Sequence, residues 1–97
     1  MQASDFHKAL QELGFLVEST GGGCTAWDFY RADGSLVRVT QDLHHEIHPD
    51  LFFDAKTGRE LCPIEIGTYD HDEISEHYKT FTDFVQALLY VINQVKG

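Results

Sequence analysis

The sequence predicts an α+β domain in two layers, with a four- or five-stranded, mostly antiparallel sheet and both helices packed on one face. An apolar stripe at helical spacing lies near each end of the chain, and between the stripes two pairs of strand-like segments are closed by glycine-containing turns. At 97 residues the chain is long enough for one core and too short for two, so residues 1–97 are expected to form a single compact domain. Terminal helices on one face of the sheet would bury both stripes together.

The first helix has a predicted start and a predicted end. Ser4 is expected to be the N-cap, because its hydroxyl oxygen can accept hydrogen bonds from the first turn. Gly14 stands where a left-handed residue ends a helix, and Phe15 supplies the apolar contact that accompanies such an end. A short strand over residues 15–19 and a glycine-rich turn over residues 20–23 are expected to follow.

The clearest hairpin joins residues 24–31 to residues 36–40 around Asp33-Gly34. A two-residue loop would set the aromatic Phe29 against the charged Arg38. A three-residue loop with a left-handed Gly34 instead keeps apolar side chains on one face and opposite charges on the other. We therefore predict the three-residue loop, which gives three cross-strand pairs: Phe29 with Val37, Trp27 with Val39, and Asp28 with Arg38.

The middle of the chain is predicted to hold a second hairpin. Residues 41–50 lack a clean period and end at His48-Pro49, which indicates a loop or a broken strand. Residues 51–54 and 59–66 read as two strands around a four-residue turn, and residues 67–75 read as a polar connection.

A second helix, of about four turns, is predicted near the C-terminus. Thr80 is expected to cap it, with Asp83 three residues on in a shorter variant of the capping box. Its apolar residues form a broad stripe, composed of Phe81, Phe84, Val85, Leu88, Leu89, Ile92 and Val95. Phe84 and Leu88 lie in the middle of this stripe and are expected to be buried against the sheet.

Acidic residues are concentrated in the middle of the chain. Residues 39–78 hold ten of the sixteen Asp and Glu and five of the six His, against two basic residues, so they carry −8 of the formal net charge of −9. Phosphate backbones and anionic membranes would be repelled, so neither direct nucleic-acid binding nor membrane binding is expected. A basic protein, a cation or a proton-linked change is favoured instead. The predicted acidic partner-binding surface consists of Asp42, Glu46, Asp50, Asp70, Asp72, Glu73 and Glu76.

The histidine-rich segments invite comparison with metal-binding signatures. His44 and His48 have the four-residue spacing of a zinc protease, but the glutamate follows His45 instead of the first histidine. The segment containing His71 and His77 has alternating acids without the central glycine of a calcium loop. Both segments are interpreted as solvated connections, so no metal and no cofactor is expected. Should a metal bind, these four histidines are the candidate ligands: His44, His48, His71 and His77.

The cysteine content and the absence of an apolar leader predict a cytoplasmic protein. Cys24 and Cys62 are too few for a disulfide framework and have apolar neighbours, as buried thiols do. The first residues lack the basic start and apolar run of a secretory signal. The longest apolar run, residues 87–92, is far shorter than the roughly 20 residues of a membrane span.

One segment resembles a known group of proteins. The run Ser19-Thr20-Gly21-Gly22-Gly23-Cys24-Thr25-Ala26-Trp27, followed by the Asp33-Gly34 hairpin and a strand over residues 37–40, is similar to small uncharacterised accessory proteins of phages and plasmids. The resemblance implies a mobile-element setting. It implies no known activity and assigns no functional residue.

The functional expectation is a non-enzymatic interaction protein, since no catalytic motif is present in the sequence. We expect it to bind or inhibit a basic protein, such as a nuclease or another nucleic-acid-binding protein whose groove is lined by Lys and Arg. Two alternatives stay open. One is a metal- or small-ligand-binding protein that uses the His/Asp/Glu-rich segments, and the other is a housekeeping domain whose acidity serves only solubility.

Overall fold

The structure is a computed structural model, and it describes residues 1–21, 24–41, 63–70 and 75–96. The elements follow in the order α1 (Ala3–Leu13), β1 (Leu16–Gly21), β2 (Cys24–Tyr30), β3 (Leu36–Thr40), β4 (Ile64–Tyr69), β5 (Ser75–Phe81) and α2 (Phe84–Lys96). The strands form one antiparallel sheet in chain order. The predicted α+β class is confirmed, with five strands in the described residues.

Helix α1 begins earlier than predicted. Its N-cap is Gln2, whose backbone is extended and whose N–H donates to the Asp5 carboxylate at 3.0 Å. The carboxylate also lies in the first turn, where it interacts favourably with the helix dipole. The predicted Ser4 cap is therefore wrong. The hydrogen bond from Gln2 to Asp5 places the N-cap at Gln2, so Ser4 lies inside the first turn.

The end of α1 confirms the prediction. Gly14 has φ 102°, a left-handed conformation that a side chain would strain. Its N–H donates to the Gln11 carbonyl and the Phe15 N–H donates to the Leu10 carbonyl, each at 3.0 Å. Phe15 is buried beside Phe29, with ring centroids 5.5 Å apart, so the chain enters β1 already anchored in the core.

The β2–β3 hairpin has the predicted register. Arg31 and Ser35 close the loop, with the Arg31 N–H donating to the Ser35 carbonyl at 2.8 Å, and Gly34 is left-handed with φ 89°. The Asp33 carboxylate accepts from the Ser35 N–H at 2.9 Å and from its hydroxyl at 2.6 Å. All three predicted cross-strand pairs are present: Phe29 with Val37, Trp27 with Val39, and Asp28 with Arg38.

The core lies between one face of the sheet and the two helices. Phe6 of α1 packs against Phe84 of α2 with ring centroids 5.5 Å apart. Side chains from β2, β3 and β4 complete the buried cluster, which consists of Phe6, Leu10, Phe15, Trp27, Val37, Val39, Ile64, Ile66, Phe84, Ala87 and Val91. Both amphipathic stripes are thus buried in a single core.

The region before α2 differs from the prediction. The expected polar connection over residues 67–75 contains the end of β4 and the start of β5, and Thr80 lies in β5 opposite Glu65. The helix is capped by Asp83, whose carboxylate accepts from the Gln86 N–H at 3.0 Å. Thr80 as a cap is therefore wrong, since main-chain pairing with β4 keeps it extended. Most of the predicted second hairpin, residues 51–62, lies outside the described residues.

The buried face of α2 is rotated relative to the predicted stripe. The buried residues of this helix are Phe84, Ala87 and Val91. Leu88 is partly buried against the core, so the burial of Phe84 is confirmed and that of Leu88 is confirmed in part. Val85 and Leu89, which belonged to the predicted stripe, are 46% and 53% exposed.

Candidate functional site on the open face of the sheet

The candidate site lies on the face of the sheet opposite the core, which we call the open face. Side chains alternate between the two faces of a strand, and Trp27, Val39 and Ile66 pair across the sheet on the core side. The pairing therefore aligns three rows on the open face: Glu18, Ala26, Thr40, Glu65 and Thr80; Leu16, Asp28, Arg38, Gly67 and Tyr78; and Tyr30, Leu36 and Tyr69.

A bidentate ion pair occupies the centre of the open face. Arg38 Nε lies 2.8 Å from Asp28 Oδ1, and Arg38 Nη2 lies 2.9 Å from Asp28 Oδ2. The Asp28 side chain is fully buried and that of Arg38 is 23% exposed. Two parallel charge-assisted hydrogen bonds fix the plane of the guanidinium group. They hold β2 to β3 through side chains and neutralise both charges.

The ring of Tyr69 covers Gly67, which follows Arg38 in the central row of the open face. Gly67 lies opposite Arg38, and a Cβ atom at Gly67 would come within 2.8 Å of the Tyr69 ring. The ring therefore occupies the space that a side chain would need, as aromatic residues do over strand glycines. The Arg38 guanidinium carbon lies 5.4 Å from the centre of the same ring, within the range of a cation–π interaction.

Tyr30 of β2 and Glu18 of β1 are joined by a hydrogen bond on the open face. The Tyr30 hydroxyl donates to a Glu18 carboxylate oxygen at 2.8 Å. Because the two residues belong to the outer rows of neighbouring strands, their side chains meet across the row that contains Asp28. The pKa of Tyr30 is raised above its ordinary value, first because the phenolate could not donate this bond, and then through desolvation and the negative charge of Glu18.

The open face is exposed only in part: Ala26 and Leu36 are buried, whereas three apolar or aromatic side chains are exposed. Leu16 is 61% exposed, Tyr30 50% and Tyr78 54%. Tyrosine combines a large apolar ring with a hydroxyl group, and it is enriched at protein interfaces for that reason. A rigid, neutralised centre flanked by such residues is equipped for recognition of another surface.

Most of the acidic surface predicted from the sequence lies outside the described residues. This applies to Asp42, Glu46, Asp50, Asp72 and Glu73, and to the candidate metal ligands His44, His48 and His71. Asp70 directly follows β4 and is partly buried, whereas Glu76 and His77 lie in β5.

Within residues 1–21, 24–41, 63–70 and 75–96, no group of three or more His, Cys, Asp or Glu residues is arranged to hold a metal ion.

A second polar contact joins the hairpin to the C-terminal end of α2. Arg31 donates from Nε to the Gln94 carbonyl at 2.9 Å and from Nη2 to its side-chain oxygen at 3.1 Å. The carbonyl is one of the last in the helix, where a cation is favoured by the helix dipole. Beside this contact lies a cavity of about 460 Å³, lined by Phe29, Arg31, Ala32, Asp33, Val95 and Lys96.

Sequence reasoning missed the aromatic part of the open face. The signal was present: Tyr30 stands two residues after Asp28 and thus shares its face, and Tyr69 stands in the same relation to Gly67. The pairing of Gly67 with Arg38, however, depends on β4, whose C-terminal half was assigned to a connection. The aromatic residues therefore had no predicted strand to occupy.

Comparison with known proteins finds no matching family model, no matching curated protein and no matching solved structure. Of the helices in the described residues, neither has the length and apolar character required to cross a bilayer.

Proposed function

We propose that this is a small acidic interaction protein that binds, and thereby inhibits, a basic nucleic-acid-handling protein in a phage or mobile-element setting. The observation that carries the proposal is the half-exposed tyrosine and leucine surface of the open face, in a chain of net charge −9. Apolar and aromatic side chains supply contact area at a protein interface. The negative charge favours a partner surface lined by Lys and Arg.

The centre of the open face supports recognition more than chemistry. Asp28 and Arg38 are engaged with each other in both hydrogen bonds of the pair, and Arg38 also lies against the Tyr69 ring. Held in this way, the partly exposed guanidinium group of Arg38 has a fixed position on the open face. Glu18 and Glu65 flank it in the neighbouring row, which adds negative charge at the side of the surface.

The expected partner has a groove that binds phosphate groups. Its cationic side chains attract an acidic body from a distance, so association is accelerated at low ionic strength. Competition for the groove would displace nucleic acid and inhibit the partner. The resemblance of residues 19–27 to phage and plasmid accessory proteins supports the setting and adds no residue to the site.

Capture experiments at two salt concentrations test the proposal. Tagged protein would be incubated with lysate of its native host at low and at high salt, and the retained proteins identified. We expect a basic partner that is released by high salt, because screening weakens attraction between exposed charges. Retention that is indifferent to salt, or partners without basic surfaces, would contradict the proposed function.

A variant with four neutralised acidic residues separates the effect of long-range electrostatic attraction from that of direct contact. The quadruple variant changes Asp70, Asp72, Glu73 and Glu76 to Asn or Gln. Association with the captured partner should slow while the fold is retained, because peripheral charges act mainly on the association rate. An unchanged association rate at low salt would rule out electrostatic steering.

A matched pair of leucines tests the location of the contact. Leu16 lies on the open face and Leu89 on α2, and both are more than half exposed. Leu16→Ser should accelerate dissociation of the partner, whereas Leu89→Ser should leave the complex unchanged. The reverse result would place the interface on the helical layer.

A further inference from the structure

Strand β1 forms an edge of the sheet in the described part of the chain. Its described strand neighbour is β2, and its outer side is not paired with another strand of the described residues. Residues Leu16 to Ser19 pair regularly with β2, and the irregularity in register comes only after Ser19. Leu16 and Val17, which point to opposite faces, are 61% and 47% exposed. Over residues 16–19 the edge is thus regular in its pairing with β2, and it carries exposed apolar side chains.

The opposite edge carries a lysine, which β1 lacks. Strand β5 contains Lys79, whose ammonium lies 5.8 Å from the centre of the Phe81 ring and 5.5 Å from that of Tyr90. Lysines on an edge strand discourage pairing with another chain. Both edge strands have a register irregularity near one end, so the lysine is the feature that distinguishes them. The six residues of β1 include neither lysine nor proline.

The charge of β1 indicates which kind of strand could pair with its outer edge. Glu18 is the one ionisable residue of the strand, and it faces the open side. The neighbouring Asp28 is neutralised by Arg38, so the local excess is negative. A second copy of the chain would bring a second Glu18 to the pairing and a second net charge of −9. An extended segment with Lys or Arg would meet Glu18 with the opposite charge.

We infer that the outer edge of β1 binds an extended, basic segment of the partner protein as an added strand. Main-chain hydrogen bonds along residues 16–19 supply affinity, and alternate side chains supply specificity. Lysine or arginine of the segment flanks Glu18 on the open face, while apolar residues cover Val17 on the other face. This inference rests on the proposed function and specifies how the basic partner is held.

Peptide binding tests the main-chain hydrogen bonds directly. The probe is a short capped peptide in which lysine and valine alternate, compared with one version N-methylated at its valines and another at its lysines. All three have the same charge, but each methylated version loses the N–H groups on one side of the strand. We expect one version to bind like the parent and the other to bind about tenfold more weakly or less. Equal binding of both versions, or no binding of the parent, would overturn strand addition.

Matched lysine substitutions locate the peptide site. Val17→Lys should abolish binding of the parent peptide, because it adds positive charge and a protective lysine to the edge. Leu89→Lys, which changes the charge equally on α2, should leave binding unchanged. Equal loss in both variants would show that net charge alone governs the peptide, and it would also overturn strand addition.

Two further measurements separate the possible failures. Sedimentation of the wild-type chain tests whether a second copy of the chain binds at the β1 edge. A dimer that Val17→Lys dissociates would contradict the inference that this edge binds a basic segment of another protein. Retention of a salt-sensitive basic partner by Val17→Lys would overturn the edge site while leaving the proposed function intact. Failure to capture any basic partner from the lysate, with the N-methyl preference still observed, would contradict the proposed function alone.

Discussion

Removal of one partner from the Asp28–Arg38 pair should destabilise the protein strongly. Arg38→Met keeps much of the side-chain length but leaves the carboxylate of Asp28, which is fully buried, without its two charge-assisted hydrogen bonds. Breaking a buried ion pair in this way costs about 3–5 kcal/mol. Because Arg38 is 23% exposed and water can reach part of the site, we expect a loss of about 2–4 kcal/mol. Loss of the contact with Tyr69 contributes about 0.5–1 kcal/mol of this.

The reciprocal and double variants show whether the cost comes from the pair. Asp28→Val removes the carboxylate that binds Arg38, but Arg38 is closer to solvent than Asp28, so its cost should be smaller, about 1–3 kcal/mol. The double variant leaves no charge behind and should be more stable than the sum of the single losses predicts, by about 2 kcal/mol. A total stability of about 5–15 kcal/mol is expected for a domain of this size, so each of these differences is measurable.

Urea denaturation followed by fluorescence provides the assay. Trp27 is the only tryptophan of the chain, it is buried, and it precedes Asp28 in β2, so it reports unfolding of the hairpin and core. Lys8→Met on the exposed surface of α1 is the control and should change stability by less than about 0.5 kcal/mol. The reasoning would be refuted if the double variant lost the full sum of the two single losses, since the side chains would then not be coupled.

Three further predictions concern the packing of α2, an unpartnered hydroxyl and a titrating turn. Leu88→Ala should lower the free energy of unfolding by about 1.5–3 kcal/mol, because Leu88 packs against the core. Leu89→Ala should lower it by less than about 0.5 kcal/mol. Equal losses in urea denaturation would show that α2 has a different rotation. Thr68→Val should raise the melting temperature, because the buried Thr68 hydroxyl has no hydrogen-bond partner among the described residues and its removal stabilises by about 1 kcal/mol. A lower melting temperature would show that the hydroxyl is hydrogen-bonded in the protein. The hydrogen bonds from Ser35 lower the pKa of Asp33 below 3.8, so their stabilising effect is present above pH 3.8 and is lost as the pH falls through the folded-state pKa. Titration by nuclear magnetic resonance should show this lowered pKa, and Ser35→Ala should raise it; an unchanged value in that variant would contradict the assigned cause.

Local sequence rules predicted the end of α1 and the β2–β3 hairpin correctly, although they misplaced the start of α1 by two residues. The end of α1 followed from Gly14, whose left-handed backbone is a property of that position. The β2–β3 register followed from Gly34 and from alternation, because a shift of one residue would have set Arg38 against the apolar Phe29 and separated it from Asp28. These predictions needed no information from distant parts of the chain.

The start of α2 was harder to predict because two interactions compete for the same residues. Thr80 has the side chain of a cap, but its backbone pairs with Glu65 of β4. β5 contains mostly polar residues, since an edge strand buries little, and it therefore lacked the apolar alternation by which strands are recognised. Only the position of β4 beside it determines that this segment is extended.

The sequence by itself determined the class of fold, the hairpin register and the opposition of Asp28 to Arg38, because these depend on local backbone geometry and a period of two. The tertiary structure decided which side of α2 is buried: its apolar stripe was broad enough for more than one rotation, and packing placed Ala87 and Val91 in the core while leaving Leu89 in solvent. It also assembled the open face, where side chains from all five strands lie in rows. Such a surface arises from pairing between distant segments, so no single stretch of the sequence contains it.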